Sequence, residues 1–195
     1  MSFLLGVDEA GRGPLAGPVA VGLVIVEEGF DVALEFPGVA DSKAISESKR
    51  EKLFTLLEER ARRGDVRFVV EYGEAAEIDE RGIVPAIRSA VARGVRFLAP
   101  ELSGVRILLD GSLSAPEGYA QETIVRGDAT VPLISLASIA AKVRRDRLML
   151  ELANAYPEYG FEKHKGYGTK AHYEALRMHG PSVIHRRSFL GLIKN

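Results

Sequence analysis

Residues 7–18 read V-D-E-A-G-R-G-P-L-A-G-P, directly after an apolar run that predicts a buried strand. Asp8 and Glu9 stand at the end of that run. Neighbouring side chains of a strand point to opposite faces, so two adjacent acids serve one site only where the strand ends or bends. Gly11 and Gly13 permit such a bend. Two acids beside a glycine turn indicate a divalent-metal site next to a phosphate backbone.

Apolar runs and helical periodicities divide the rest of the chain into further elements. Short runs rich in Val, Ile and Leu predict strands, and apolar residues spaced three and four apart predict helices. Ser46 is a typical N-cap, and Gly64 is a typical helix end. The order of elements predicts an α/β domain with a mixed sheet. The predicted strands are Leu4–Asp8, Val19–Val26, Val66–Tyr72, Val105–Leu109 and Ile124-Val125; the predicted helices run from Ser46 to Gly64, onward from Gly82–Pro85, from Pro132 to about Ala153, and over Lys170–His179.

Bulk composition limits the class of protein. The chain has 195 residues, of which 46% are hydrophobic, and we expect residues 1–195 to form one domain with a substantial core. The absence of cysteine excludes a disulfide framework and a thiolate metal site. No basic leader and no run of transmembrane length is present, which predicts a cytoplasmic protein away from membranes.

Charge is distributed unevenly along the chain. The formal net charge is −1, yet residues 120–195 carry 12 Lys and Arg against 7 Asp and Glu. The first 119 residues carry 14 against 20. Cationic groups therefore concentrate towards the C-terminus, where contacts with an anionic partner are expected.

Two more acids occupy positions like that of Asp8 and Glu9. Asp110 ends an apolar run, and Asp128 follows a short one. In open α/β sheets, sites form beyond the strand ends, and several carboxylates converging there cannot all stay ionised without cations. Mg²⁺ or Mn²⁺ is the natural partner, since hard ions prefer oxygen ligands. Asp-Gly and Gly-Asp are also ordinary turn pairs. For Asp110 or Asp128 alone that plainer interpretation is favoured, whereas the adjacent acid pair favours function.

Several stretches are typical of contacts with a nucleic acid. The Gly-Arg-Gly turn at 11–13, with Arg12 at its centre, offers backbone N–H groups to a sugar-phosphate chain, although such a tripeptide alone is a common turn. The loop at 164–168 reads H-K-G-Y-G and joins a cation to an aromatic ring that stacks on bases or sugars. Further candidate contacts are Ser42, Lys43, Lys165, Tyr167 and Arg186.

Other polar residues are assigned structural roles. Asp146 lies four residues after Lys142, a spacing that predicts an ion pair on one helix face. His164 and His185 are too isolated in sequence to indicate a zinc site.

These motifs, in this order, resemble the ribonuclease HII family of type 2 ribonucleases H, and the resemblance spans almost the whole chain. A sister family, ribonuclease HIII, carries an extra N-terminal domain and a glutamate as its fourth acid, neither of which is seen here. Gly82 stands where the ribonuclease HII family often has Asn. The matching stretches are V-D-E-A-G-R-G-P at 7–14, D-S-K at 41–43, E-I-D at 77–79, L-D-G at 109–111, G-D at 127–128, A-S-I-A-A-K-V-R-R-D at 137–146, H-K-G-Y-G-T at 164–169 and R-R-S-F at 186–189.

The resemblance implies a ribonuclease H-like fold, a five-stranded mixed sheet flanked by helices with a C-terminal helical segment at about 155–195 that contributes substrate contacts. It implies endonucleolytic cleavage of RNA in RNA/DNA hybrids, and cleavage 5′ of single ribonucleotides embedded in duplex DNA, leaving 3′-hydroxyl and 5′-phosphate ends. Such an enzyme serves ribonucleotide removal during DNA replication and repair. The implied mechanism is two-metal hydrolysis with two Mg²⁺ or Mn²⁺ ions bound beside the substrate.

The family's site residues carry over onto matching positions of this chain. Its four catalytic and metal-binding acids match Asp8, Glu9, Asp110 and Asp128. Its Gly-Arg-Gly, which senses the ribose 2′-hydroxyl, matches 11–13, and its substrate-sensing tyrosine matches Tyr167. The chain lacks the extension that some members use to bind a sliding clamp, and we expect a monomer.

Two other classes of function remain open on sequence grounds. A non-catalytic hybrid-binding module could use the basic C-terminal part, but four unneutralised acids would repel phosphate. A phosphate-binding transferase could use the glycine turn, but no G-x-x-x-x-G-K-[ST] motif indicates a nucleoside triphosphate site.

Overall fold

A mixed five-stranded sheet forms the centre of the protein. The computed structural model describes residues 2–39 and 45–191. The strand order is β3-β2-β1-β4-β5. Antiparallel pairing joins β1 to β2 and β2 to β3, and parallel pairing joins β1 to β4 and β4 to β5, which confirms the predicted mixed sheet. The strands are β1 (Phe3–Ala10), β2 (Val19–Glu27), β3 (Arg67–Gly73), β4 (Val105–Asp110) and β5 (Ala120–Ile124).

Helices cover both faces of this sheet. One apolar cluster joins the sheet to the third and fourth helices, and a second joins the opposite face to the second and sixth. A third, smaller cluster holds the C-terminal segment against the sixth helix. The helices are α1 (Val32–Glu35), α2 (Glu47–Arg63), α3 (Ala75–Arg81), α4 (Ile83–Leu98), α5 (Gly127–Thr130), α6 (Pro132–Ala155), α7 (Phe161–His164) and α8 (Lys170–His179), with single 3₁₀ turns at Pro157–Tyr159 and Arg187–Phe189.

Local capping residues set several helix boundaries where the sequence predicts them. The Ser46 hydroxyl accepts a hydrogen bond from the Lys49 amide and begins α2, and Gly64 ends it with a φ of 87°. Gly82, with a φ of 88°, separates α3 from α4. The predicted break before Pro85 is therefore confirmed, because the glycine adopts a conformation that no helix continues through.

Two strands differ from their predicted extents. β1 continues through Ala10 instead of ending at Asp8, because its pairing with β2 extends to Ala10 opposite Ala20. β5 begins at Ala120 and ends at Ile124, and its residues from Ala120 to Thr123 are exposed. As an edge strand with no apolar alternation, β5 shows little of the pattern from which strands are predicted.

Glycine lets α6 pack unusually close to the sheet. A Cβ on Gly6 of β1 would lie 2.7 Å from the Leu133 carbonyl oxygen, and one on Gly22 of β2 would overlap the Ala137 carbonyl. Both positions therefore require the absence of a side chain. The close approach brings the middle of α6, including Ser138, over the end of β1.

Candidate active site

Three aspartates from separate segments meet at the carboxyl ends of the parallel strands. Each of Asp8, Asp110 and Asp128 offers a carboxylate oxygen, and these three oxygens lie within 4.8 Å of one another. Val7 pairs with Leu109 in the parallel register, so the next residue of each strand is an aspartate at the same sheet edge. We call these three residues the acid cluster.

Asp128 reaches the cluster through the short helix α5. Its backbone N–H donates to Asp110 Oδ1 at 3.1 Å, and its carbonyl accepts from the Ser135 hydroxyl at 2.5 Å. Arg126 precedes α5 with a φ of 56°, in the left-handed region that non-glycine residues rarely occupy. The turn from β5 into α5 is thus tied both to Asp110 and to the start of α6.

Asp8 sits in an environment that disfavours its charge. Its side chain is 2% exposed, and Oδ2 is buried without a hydrogen-bond partner among the described residues. Burial raises the pKa of Asp8 from 3.8 to about 8; a hydrogen bond from Ser138 lowers the pKa, and repulsion from Glu9 and Asp110 raises it. A buried, unpartnered carboxylate oxygen beside two more carboxylates fits a hard divalent cation, which would supply the missing partner.

Glu9 lies outside the acid cluster. Because β1 runs on to Ala10, Glu9 points to the other face of the strand from Asp8. Its Oε1 accepts from Arg12 Nη1 at 2.9 Å. The predicted end of the strand at Asp8 is therefore wrong by two residues, and a metal-binding role for Glu9 stays a prediction. The Glu9 charge is close enough to raise the pKa of Asp8.

Arg186 has a different position from the one expected of a phosphate contact. Its side chain is fully buried, and its guanidinium donates to the carbonyls of Gly11 at 2.7 Å, Arg12 at 2.9 Å and Gly17 at 2.9 Å. Burial lowers the pKa of Arg186. This burial contradicts the expectation that Arg186 binds substrate directly, because its donors instead hold the carbonyls of the Gly-Arg-Gly turn and of Gly17.

A second buried arginine, Arg145 of α6, was assigned no role from sequence. It donates to the carbonyls of Pro18 at 2.9 Å, Ala16 at 3.2 Å and Lys165 at 3.1 Å, and it lies 5.9 Å from the centre of the Tyr167 ring. It therefore joins the segment after the glycine turn to the 164–168 loop. In the sequence, Arg145 is one of two adjacent arginines in a charged run, and nothing there distinguishes it from an arginine exposed to solvent.

The 164–168 loop lies beside the Gly-Arg-Gly turn. The Leu15 N–H donates to the Gly166 carbonyl at 2.8 Å, which links the two loops directly. The Tyr167 side chain is 43% exposed, as a stacking surface must be. Lys165 turns back towards α7, where its ammonium donates to the Glu162 carbonyl at 2.5 Å.

Two remaining sequence predictions have separate outcomes, and one further residue has a role that the sequence did not indicate. Lys142 Nζ lies 2.8 Å from Asp146 Oδ1, which confirms the predicted ion pair. Ser42 and Lys43 lie outside the described residues. Asp79 was given no role, yet its carboxylate accepts from the backbone N–H groups of Arg187 and Ser188 and so holds the segment that carries Arg186.

The described part of the chain contains no helix that is both long and apolar enough to cross a membrane.

The fold and the acid cluster define a hydrolase of the ribonuclease H type. The family model for ribonuclease HII matches residues 5–191, and the chain belongs to the ribonuclease HII family. It is 49% identical over 188 residues to ribonuclease HII of Marinomonas sp. strain MWYL1, covering 96% of this chain and 89% of that protein. The corresponding protein of Nitrosomonas europaea is 46% identical over 186 residues, covering 95% and 82%.

A solved structure shares this architecture over nearly its whole length. The ribonuclease HII of Archaeoglobus fulgidus, solved in complex with PCNA, superposes with a TM-score of 0.76 at 26% identity, covering 97% of this chain and 94% of that one. The predicted ribonuclease H-like fold is confirmed.

Proposed function

We propose that this protein is a metal-dependent endoribonuclease that hydrolyses the RNA strand of RNA/DNA hybrids and cuts 5′ of single ribonucleotides in duplex DNA, leaving 3′-hydroxyl and 5′-phosphate ends. The observation that carries the proposal is the acid cluster with its unpartnered, buried Asp8 oxygen, in a chain of the ribonuclease HII family. This activity would serve ribonucleotide removal in DNA replication and repair.

Asp8, Asp110 and Asp128 would hold the divalent cation, Mg²⁺ or Mn²⁺, with two ions once substrate is bound. Glu9 is the fourth acid of the proposal, although its carboxylate pairs with Arg12. Bound cations supply Lewis-acid activation of the attacking water and stabilisation of charge at the scissile phosphate. Of the three aspartates, Asp8 depends most on the positive charge of the cation, because burial raises the pKa of Asp8 to about 8 and a cation would favour its ionised form.

The Gly-Arg-Gly turn is the proposed reader of the ribose 2′-hydroxyl, which distinguishes RNA from DNA. Gly11 has a φ of 87° and lies against Arg145, so the fold itself requires glycine there. Apart from Gly13 and its two chain neighbours, no atom of the described residues lies within 4 Å of a Cβ placed on Gly13, and Gly13 is exposed. Its open approach suits close contact with a sugar-phosphate chain.

Tyr167 is the proposed reader of the sugar that follows the ribonucleotide. Its ring is exposed beside the glycine turn and rests on the buried Arg145 cation. Stacking on this ring would let the enzyme act at an isolated ribonucleotide with deoxyribose beyond it. Ser42, Lys43 and Lys165 are proposed as phosphate contacts, and residues 1–195 as one monomeric catalytic domain.

A labelled duplex with one ribonucleotide tests the proposal, alongside a continuous hybrid and an all-DNA duplex, each with Mg²⁺, with Mn²⁺ and with a chelator. We expect cuts in the first two substrates only, dependent on metal, with a 3′-hydroxyl and 5′-phosphate at the mapped ends. Asp110→Asn is the matched control and should bind the hybrid without cutting it. Cleavage that persists in the chelator or in this variant contradicts the metal assignment, and cleavage of all-DNA contradicts the substrate class.

A further inference from the structure

Two buried histidines that are not part of the acid cluster form a hydrogen-bonded pair in the C-terminal segment. His172 of α8 is 0% exposed and His185 is 2% exposed. Their Nε2 atoms lie 3.0 Å apart. His172 Nδ1 lies 2.9 Å from the carbonyl oxygen of Tyr167, and His185 Nδ1 lies 3.0 Å from the backbone nitrogen of Ser182.

The groups at the two ends of this series of hydrogen bonds, the Tyr167 carbonyl and the Ser182 N–H, set the direction of each hydrogen bond between them. The Tyr167 carbonyl only accepts, so His172 carries its proton on Nδ1 and accepts at Nε2 when neutral. The Ser182 N–H only donates, so His185 accepts at Nδ1, where the Ser182 hydroxyl at 2.9 Å can donate as well, and carries its proton on Nε2. Both constraints give one consistent order, in which Ser182 donates to His185, His185 to His172, and His172 to the Tyr167 carbonyl. A proton added to either ring breaks a bond of the chain.

Three successive backbone carbonyls of the 164–168 loop each accept a hydrogen bond from another segment of the protein. Arg145 Nη1 donates to Lys165, the Leu15 N–H donates to Gly166, and His172 Nδ1 bonds to Tyr167. Lys165 has a φ of 51°, in the left-handed region that costs a non-glycine residue free energy. The loop conformation is therefore maintained by these anchors, of which His172 holds the carbonyl nearest the Tyr167 ring.

We propose that His172 and His185 are positioning residues for substrate recognition. His185 fixes the proton of His172 on Nδ1, and His172 then fixes the Tyr167 backbone so that its ring stays in place beside the Gly-Arg-Gly turn. The inference rests on the proposed role of Tyr167 as a reader of the substrate sugar. His172 contacts the loop, His185 contacts His172, and both act on substrate only through Tyr167.

The surroundings of the pair favour the neutral imidazole rings that these hydrogen bonds require. Burial lowers the pKa of both residues, that of His185 to about 4, and each ring is further opposed by a neighbouring histidine. His164 stacks on His172 with ring centres 4.5 Å apart, and the Tyr159 ring lies 4.6 Å from His185. The His179 ring centre lies 6.3 Å from that of Tyr159. The hydrogen bonds of the histidine pair are therefore expected to persist through the pH range in which exposed histidines become charged.

Nitrogen NMR of the uniformly ¹⁵N-labelled protein tests the proton positions without any activity measurement. We expect His172 as the Nδ1–H tautomer and His185 as the Nε2–H tautomer, with both unchanged between about pH 6 and pH 8. An Nε2–H tautomer at His172, or a charged ring at either position near pH 7, overturns the inference.

Kinetics of two His185 variants test the link to recognition. His185→Gln keeps an N–H donor towards His172, whereas His185→Leu removes it without adding a polar group. On the single-ribonucleotide duplex we expect His185→Leu to lower kcat/KM about tenfold, mainly through KM, and His185→Gln to stay within about twofold of the parent. The loss on a continuous hybrid should be smaller. His179→Leu is the matched control and should leave both substrates unaffected.

A double-mutant cycle with Tyr167→Ala separates positioning from general loss of structure. In the Tyr167→Ala background, His185→Leu should have little further effect on the single-ribonucleotide substrate. Additive losses, or equal losses on both substrates, overturn the inference. His172→Leu, which removes the donor to the Tyr167 carbonyl, serves the same cycle if His185→Leu does not fold, and His172→Asn, which keeps a donor near the Nδ1 position, is its matched control. Absence of cleavage by the parent protein would contradict the proposed function instead, and the NMR result would stand.

Discussion

Removing the charge of Asp8 should stabilise the metal-free protein while abolishing its cleavage. The Asp8 pKa is raised from 3.8 to about 8, chiefly by burial, so the folded state retains a proton that the unfolded state has lost between these pH values. The stability contributed by that proton is complete below about pH 4 and declines as pH rises, until none is left above about pH 8. A tenfold change in proton affinity is worth about 1.4 kcal/mol, so the full effect is on the order of 5 kcal/mol.

Asp8→Asn resembles the protonated carboxyl at every pH and escapes this loss. We expect the variant to match the parent near pH 4 and to exceed it by about 3 kcal/mol near pH 8.5, since the neighbouring acids share part of the repulsion. For a chain of this length, that difference corresponds to a rise in Tm of about 6–12 °C. Thermal unfolding in a chelator, followed by circular dichroism across pH, measures it.

Metal provides the second arm of the same experiment. Millimolar Mg²⁺ or Mn²⁺ should raise the Tm of the parent near pH 8.5, because a ligand that binds only the folded state stabilises it. It should raise the Tm of Asp8→Asn much less. A Tm difference between the two proteins that is the same at both pH values, or a variant that is less stable at both, refutes the reasoning from buried charge.

Three further outcomes follow from the loops around the acid cluster. Gly11→Ala should lower the free energy of unfolding by more than about 1 kcal/mol, because the Gly11 φ of 87° and its contact with Arg145 exclude a side chain. Gly13→Ala should unfold like the parent and lose cleavage. Denaturant titration with parallel kinetics distinguishes the two variants, and the reverse pattern contradicts the assignment. Arg186→Met should cost about 1–3 kcal/mol by leaving buried carbonyls unpaired, and an unchanged denaturant midpoint would show that these bonds contribute nothing. Tyr167→Ala should lower kcat/KM on a single-ribonucleotide duplex by about tenfold and on a continuous hybrid by less, and equal losses would remove its proposed role.

Local signals in the sequence predict most of the secondary structure because they act over a few residues. Ser46 caps α2 through a hydrogen bond three residues away, and Gly64 ends it through its own backbone angle. Gly82 separates two helices in the same way. β5 escaped accurate prediction because its exposed residues show no apolar alternation, and only pairing with β4 makes it a strand.

The candidate site was predicted only in part from the same information. Asp8 and Asp110 follow apolar runs, and such positions in parallel strands lie at one sheet edge. Asp128 could be proposed but not located, since its place depends on a hydrogen bond to Asp110 and on the start of α6. The opposite orientation of Glu9 follows from the pairing that continues β1 to Ala10.

The sequence by itself determined the class of fold, the acids available for a metal and the motifs of the ribonuclease HII family, because periodicity, capping and residue chemistry are written locally. Only the tertiary structure decided which polar groups are buried and what they hold. Arg145 and Arg186 look like surface cations in the sequence, yet each is buried and bonded to main-chain carbonyls far along the chain. Their roles depend on contacts between distant segments, and those contacts exist only once α6 and the C-terminal segment have packed against the glycine turn.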